Sequence, residues 1–191
     1  TGARAGVAFL RPERRAKVLP CERIRMAPSV ARRRKERPQE PGGKASERAP
    51  EKVHEQPLEA YDQKRDFERT PEPAPRRPKH KPGAPPVFVV HRHEARRLHY
   101  DLRLERSGVL LSWAVPKGFS YDPADKHLAV RTEDHPFEYV DFHGVIPKGE
   151  YGAGTMEIWD RGHVTFLNGE GGPEAGEVKI VLAGRRLRGE W

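Results

Sequence analysis

Val87-Phe88-Val89-Val90, the tight stretch His93 to Leu98, His99-Tyr100-Asp101-Leu102-Arg103-Leu104-Glu105, the pair Ser107-Gly108, and Val109-Leu110-Leu111-Ser112-Trp113-Ala114-Val115 follow one another along the chain. The first run is β-branched and aromatic and reads as a buried strand. The third alternates apolar and polar residues with period two, and Ser107-Gly108 supplies the turn of a hairpin. Further strands are expected at Leu128–Arg131, Thr155–Trp159, Val164–Leu167, Glu177–Leu182 and Arg186–Trp191. Turn signals recur at Pro116-Lys117-Gly118, at Pro147-Lys148-Gly149 and over 169–173. Short strands, Gly/Pro turns and no long amphipathic helix predict an all-β fold over 87–191. Its form is a compact, closed or nearly closed β-barrel of short antiparallel strands.

The chain upstream is different material. Residues 1–86 carry 22 Lys/Arg against 12 Asp/Glu, a balance of +10, whereas residues 87–191 carry 14 against 16. The front segment also holds 14 of the 19 prolines. So little apolar surface cannot offset the entropy of ordering a chain, so 1–60 is expected to be a disordered basic tail and 61–86 an arm leading into the barrel. The run Arg32-Arg33-Arg34-Lys35 reads either as a solvated tail or as a salt-sensitive tether for nucleic acid. Met26 is the first methionine, so 1–25 reads as sequence upstream of a start or the end of a preceding domain. The final strand reads as cut short at Trp191. No run of about 18 uncharged apolar residues occurs, which excludes a membrane-spanning helix. The single cysteine, Cys21, excludes a disulfide scaffold and a cysteine zinc site, and it fits a reducing compartment.

Along the strand at 99–105, period two sends Tyr100, Leu102 and Leu104 to one face and His99, Asp101, Arg103 and Glu105 to the other. The first set is a core face. The second lines up an imidazole, a carboxylate and a guanidinium, and His93 can fold back toward them across a short turn. Two imidazoles and one carboxylate make a three-ligand metal site with open positions. Arg103 beside it can grip an anionic oxygen with its planar fork. The competing reading of such a face is simply the wet side of a sheet. A second cluster, Glu133-Asp134-His135-Pro136-Phe137-Glu138-Tyr139, gathers acids, an imidazole and a phenol around a proline, suited to proton transfer and hydrogen bonding or merely to a bonded turn. No G-x-x-x-x-G-K-[ST] motif is present, so a P-loop enzyme is excluded. Gly149-Glu150-Tyr151-Gly152-Ala153-Gly154 reads as a turn feeding a strand.

The stretch Phe88-Val89-Val90-His91-Arg92-His93-Glu94-Ala95-Arg96-Arg97-Leu98-His99-Tyr100-Asp101 resembles the 3′-phosphoesterase domain of bacterial DNA ligase D. So do Ser112-Trp113-Ala114-Val115-Pro116-Lys117-Gly118, Glu133-Asp134-His135-Pro136, Gly144-Val145-Ile146-Pro147 and Tyr151-Gly152-Ala153-Gly154-Thr155. Lys64-Arg65-Asp66-Phe67 and Thr70-Pro71-Glu72-Pro73 extend the likeness back to about Tyr61. The resemblance implies a manganese-dependent β-barrel that heals DNA 3′ ends in non-homologous end joining. A phosphodiesterase step would remove a terminal ribonucleoside, and a phosphomonoesterase step would remove the remaining 3′-phosphate. By motif position, His93, His99 and Asp101 would ligate the metal, and Arg103 and His135 would contact the phosphate with Tyr139 nearby. Asp66, Glu72, Glu133 and Lys117 would support the site. The implied substrate is a primer–template 3′ end. Implied partners are ligase and polymerase domains or a Ku-type end-binding protein, in a nucleoid-associated cytoplasmic setting. Two positions depart from the family pattern: His91, where Gln is common, and His127, where a base such as Arg is. Those departures keep a rival in view, a non-catalytic DNA-end-binding module.

Overall fold

The computed structural model describes residues 7–10, 12, 58–75, 84–167 and 178–191. The strands are β1 (Val7–Leu10), β2 (Val87–Glu94), β3 (Leu98–Arg106), β4 (Val109–Val115), β5 (His127–Arg131), β6 (His135–Pro136), β7 (Gly144–Ile146), β8 (Gly154–Phe166), β9 (Ile180–Gly184) and β10 (Arg188–Glu190). Helix is confined, among the described residues, to a single turn, α1 (Glu59–Asp62), and a 3₁₀ segment at Phe137–Asp141. The strands form one antiparallel sheet in the order β1-β5-β4-β3-β2-β8-β9-β10, with β6 on β4 and β7 on β8. The sheet curls into a half-barrel, as the all-β reading expected.

The β3–β4 hairpin shows how local chemistry sets register. Arg106 pairs with Val109, leaving Ser107 (φ 52°) and Gly108 (φ 80°) as a two-residue loop. Two positive φ values give the turn whose twist matches that of the flanking strands. That register sets Ser112 opposite Arg103 and Ala114 opposite Asp101. Across the β2–β3 turn, His93 lies opposite His99 and His91 opposite Asp101.

One face of the sheet is a conventional core of Phe88, Val90, Leu102, Leu104, Leu111, Trp113, Val115, Val164, Leu182 and Leu187. The opposite face is not wet. Asp101, Arg103, Glu105 and His91 are all buried on it. A second apolar cluster, Tyr61, Leu110, Tyr139, Phe142, Ile146 and Met156, covers it, with Tyr61 from the arm and Tyr139 from the 3₁₀ segment. The polar layer is thus sandwiched between two cores.

Two features differ from expectation. The segments expected at Thr155–Trp159 and Val164–Leu167 fall in one strand, β8, which ends at Phe166. Register shifts where Val90 pairs with Asp160 but His91 pairs with Ile158, so Trp159 is bulged out. The bulge reverses the alternation: Met156 serves the site-side cluster and Val164 the other core. Gly162 keeps the long strand continuous, since a Cβ there would lie 2.1 Å from the Ala183 carbonyl oxygen. Val7–Leu10, expected within the tail, pairs along β5 from Val7↔Val130 to Leu10↔His127. Asp160 is buried in the core-side layer and accepts backbone N–H bonds from Arg185, Arg186 and Leu187, tying down the β9–β10 turn. The expectations for Cys21, Met26, Arg32–Lys35 and the turn at 169–173 lie outside the described residues.

Candidate metal and phosphate site

His93 and His99 face each other across β2 and β3, ring centroids 4.6 Å apart, with Asp101 two residues along β3. Their ligand atoms all lie within 4.8 Å of one another. Each imidazole is oriented by a carbonyl. His93 Nε2–H donates to Gly152 O at 2.9 Å, and His99 Nδ1–H donates to Arg97 O at 3.0 Å. The opposite nitrogens, His93 Nδ1 and His99 Nε2, then present lone pairs toward Asp101 at 3.5 Å each. Burial would raise the Asp101 carboxyl, but the Arg103 charge, joined by the two histidines when they carry a second proton, outweighs it and brings it to about 2. Two lone pairs and an ionised carboxylate therefore converge, all acceptors. Only a cation or an added proton relieves that arrangement, and a nitrogen–nitrogen–oxygen set oriented by outer carbonyls suits a divalent metal.

Arg103 Nη2 donates to Asp101 Oδ2 at 3.2 Å. Its Nη1 stands 3.0 Å from His135 Nδ1, and its buried Nε has no partner among the described residues. His135 Nδ1 also lies 2.9 Å from Glu133 O and 3.1 Å from Ser112 Oγ, whose own hydroxyl donates to Leu110 O. Those acceptors put the ring proton on Nδ1. Nε2 is then left to accept from Arg65 Nη2 at 3.3 Å. Arg103 consequently holds N–H groups beside the histidine–aspartate triad that no acceptor among the described residues fills, the arrangement that an anionic oxygen satisfies. Burial, followed by the charges of Arg103 and Arg65, lowers His135 well below the usual histidine range, so the ring is neutral.

Arg65 is the residue that sequence reasoning passed over. Its Nε donates to Glu72 at 2.8 Å, its Nη1 to Glu133 at 3.1 Å, and its guanidinium lies 3.8 Å over the Tyr61 ring. Lys64 donates to the same Glu133 carboxylate at 3.0 Å. Burial opposes ionisation of Glu133, but its backbone hydrogen bond, Lys64 and Arg65 hold the carboxyl below its ordinary value. An arginine flanked by other charges in a polar arm carries no periodic signal. Ser112, by contrast, was legible from the hairpin register that sets it opposite Arg103.

The other expected residues separate. Glu72 is buried and accepts from Arg65, Thr70 and the Tyr139 hydroxyl, the last at 2.8 Å. Tyr139 therefore directs its hydroxyl away from the triad and offers its ring to Arg103, 4.7 Å away, and to His135, 4.8 Å away. Burial, aided by Glu72 and opposed by Arg103, pushes its phenol well above the ordinary value. Asp66 is exposed and caps a turn of the arm, accepting from Glu68 N, while its carbonyl receives Arg69 N and Thr70 N. Lys117 is exposed in the turn beyond β4, away from the contacts that join the cluster. His91, fully buried, lies between Asp101 and Tyr139 and bonds to Phe142 O at 2.9 Å. His127 bonds to Gly118 O at 2.7 Å in the β4–β5 connection.

Residues 91–191 match the family model described as the DNA ligase D 3′-phosphoesterase domain. A protein of Pseudomonas aeruginosa named multifunctional non-homologous end joining protein LigD is 51% identical over 136 residues, covering 71% of this chain and 16% of its own length. Its namesake in Mycolicibacterium smegmatis is 59% identical over 141 residues, 70% of this chain and 18% of the relative. The one in Mycobacterium bovis is 48% identical over 134 residues. This chain thus spans less than a fifth of the length of the curated relatives it matches. With the matching blocks lying on the strands and loops that build the histidine–aspartate triad, the chain belongs to the DNA ligase D 3′-phosphoesterase family.

Proposed function

We propose that this protein is a metal-dependent phosphoesterase that heals DNA 3′ ends for double-strand break repair by non-homologous end joining. The observation that carries the reading is the convergence of buried His93 and Asp101 with half-buried His99 beside the unfilled N–H groups of Arg103. A divalent ion held by the triad, with manganese the first choice for that donor set, would supply Lewis acidity toward a phosphate oxygen. The remaining work falls to the chain. Arg103 grips a phosphoryl oxygen and offsets the charge that grows as water adds to phosphorus. Arg65, fixed by Glu72 and Glu133, holds His135 in position. Neutral His135 receives the phosphate as a hydrogen-bond partner. The incoming dianion counters the two guanidiniums that depress its pKa, which readies the ring to hold a proton for the leaving oxygen. Removal of a terminal ribonucleoside breaks the bond from phosphorus to the nucleoside oxygen and leaves a 3′-phosphate. A second hydrolysis frees the 3′-hydroxyl. Lys117 and Asp66 serve at a distance, through the substrate strand and the arm. The DNA end, ligase and polymerase domains, a Ku-type end-binding protein and a nucleoid-associated setting belong to the same proposal.

Asp101→Ala should abolish turnover of a 3′-ribonucleotide primer–template with manganese, with the thermal transition retained. It should also weaken manganese binding, read by calorimetry, by at least tenfold. Full activity in that variant would refute the ligand assignment. Wild-type protein that binds DNA ends and metal without turnover would instead favour the end-binding module.

A further inference from the structure

The loop from Pro147 to Ala153 is anchored at three points: Glu150 pairs with Arg69 of the arm at 2.9 Å, Lys64 reaches the Tyr151 hydroxyl at 3.4 Å, and the Gly152 carbonyl receives His93. Turn hydrogen bonds from Glu150 N to Pro147 O and from Ala153 N to Glu150 O stiffen it further. On this loop stands Tyr151, 48% exposed and part of neither apolar core. Its ring meets cations instead, Lys64 Nζ at 4.8 Å and Arg65 Cζ at 5.3 Å from the centroid. Both cations grip the one Glu133 carboxylate, so they approach the ring from the arm. The exposed part of the ring is left open at the rim. Tyr151 is also one Cα step, about 3.8 Å, from the residue that orients His93, and it touches the arginine that orients His135.

A large aromatic side chain held on an anchored loop, about half open to solvent and joined to both halves of the site, serves neither apolar core. We propose that Tyr151 is a nucleobase platform: the terminal base of a 3′-phosphorylated strand stacks on its open face while the phosphate lies against Arg103. This rests on the phosphoesterase reading and adds to it a recognition element for the nucleoside. The site is then selective for nucleic-acid ends over other phosphate esters. Stacking on an aromatic ring tolerates any base, because every base offers a π face.

The test uses the whole chain and two primer–templates, alike except that the terminal 3′-phosphate is carried by a normal nucleoside in one and by an abasic sugar in the other. Tyr151→Ala should raise KM for the first by about 5- to 150-fold, leave its kcat unchanged, and leave both constants unchanged for the second. Tyr151→Phe, which keeps the ring and drops the hydroxyl, should behave as wild type. Equal losses on both substrates together with a lowered melting temperature would reduce Tyr151 to a brace for Lys64 and Arg65 and overturn the proposal, as would no change on either. Fluorescence anisotropy on the same two oligonucleotides measures the base preference independently of turnover. Wild type should hold the base-bearing end more tightly and lose that preference in Tyr151→Ala. Equal affinity of the wild type for the two ends would overturn the platform even if hydrolysis proceeds, whereas base-selective binding without hydrolysis would sink the phosphoesterase reading alone.

Discussion

Lowering the pH from 7 to 5 should destabilise this protein through His91 in an amount that a single substitution can isolate. The His91 ring is fully buried, and burial first, then the Arg103 charge, lowers its pKa from 6.5 to about 3. A histidine kept neutral in the fold contributes stability that is fully present above 6.5. Between 6.5 and 3 the unfolded chain binds a proton that the folded chain refuses, so stability falls as the pH drops. Between pH 7 and pH 5 that loss is about 2 kcal/mol. In His91→Gln a side-chain amide can still donate to the Phe142 carbonyl, yet nothing titrates there. His135, depressed in the same direction, remains in both proteins and cancels from the comparison. Urea unfolding in the presence of a chelator, at pH 7 and pH 5, should show the wild type losing about 2 kcal/mol more than His91→Gln. Parallel losses in the two proteins would mean that His91 accepts its proton in the folded state and would refute the argument from burial.

Asp160→Ala strips the acceptor from the N–H groups of Arg185, Arg186 and Leu187. Thermal or urea unfolding should show a loss of about 1–3 kcal/mol, since the buried Leu187 N–H is left without a partner while the part-buried N–H groups of Arg185 and Arg186 can turn to water. Glu72→Gln removes a buried charge that holds Arg65 and receives the Tyr139 hydroxyl. It should cost about 2 kcal/mol of stability, less than a fully broken buried pair because Glu133 still holds Arg65. It should also lower kcat on a 3′-phosphate end more than it raises KM, because the displaced group is the one that orients His135.

What could be read in advance was whatever follows from short-range periodicity. The alternation from His99 to Glu105 carried both the core face and the polar face, and Ser107-Gly108 named the turn that pairs the strands. The same alternation could not say whether the polar face was wet. That depends on Tyr61 and Tyr139, which come from an arm about 40 residues upstream and a 3₁₀ segment about 35 residues downstream and carry no pattern linking them to β3. Two-residue β6 and three-residue β7 are too short to show a period. The bulge at Trp159 defeated the pattern more directly. With one residue extra, a single strand looks like two, and the Gly162 that lets β8 approach β9 reads as a break. Tyr139 was correctly placed near His135 by spacing, but spacing has no means to choose where a hydroxyl points, and Glu72 claims it. Arg65 shows the remaining limit: its role follows from five partners, Tyr61, Glu72, Glu133, His135 and Tyr151, scattered over about 90 residues of the chain.

A buried ionic layer is normally a weak source of stability, because desolvation consumes most of the attraction between the charges. That makes the composition of this one informative. Through direct contacts around the site, the exposed Lys64 and the buried Arg65 and Arg103 are joined to Glu72, Glu133 and Asp101, three cations against three anions, with His135 and His91 neutral. The network is balanced on its own, so the fold is not forced to protonate or expel any member, yet its lone pairs and its spare N–H groups stand side by side. On the proposed reading, a divalent cation among the former raises the layer to a charge of +2. A phosphate monoester, with a second pKa near 6, approaches a charge of −2 at neutral pH. The two additions cancel. Neither ligand alone leaves this network neutral, so each should bind more tightly in the presence of the other, and by linkage the two enhancements must be equal. Manganese affinity measured with and without a 3′-phosphorylated end should therefore rise by the same factor as end affinity measured with and without manganese. If the two ligands weakened each other, the layer's balance would have no connection with catalysis, and the charge argument would fail.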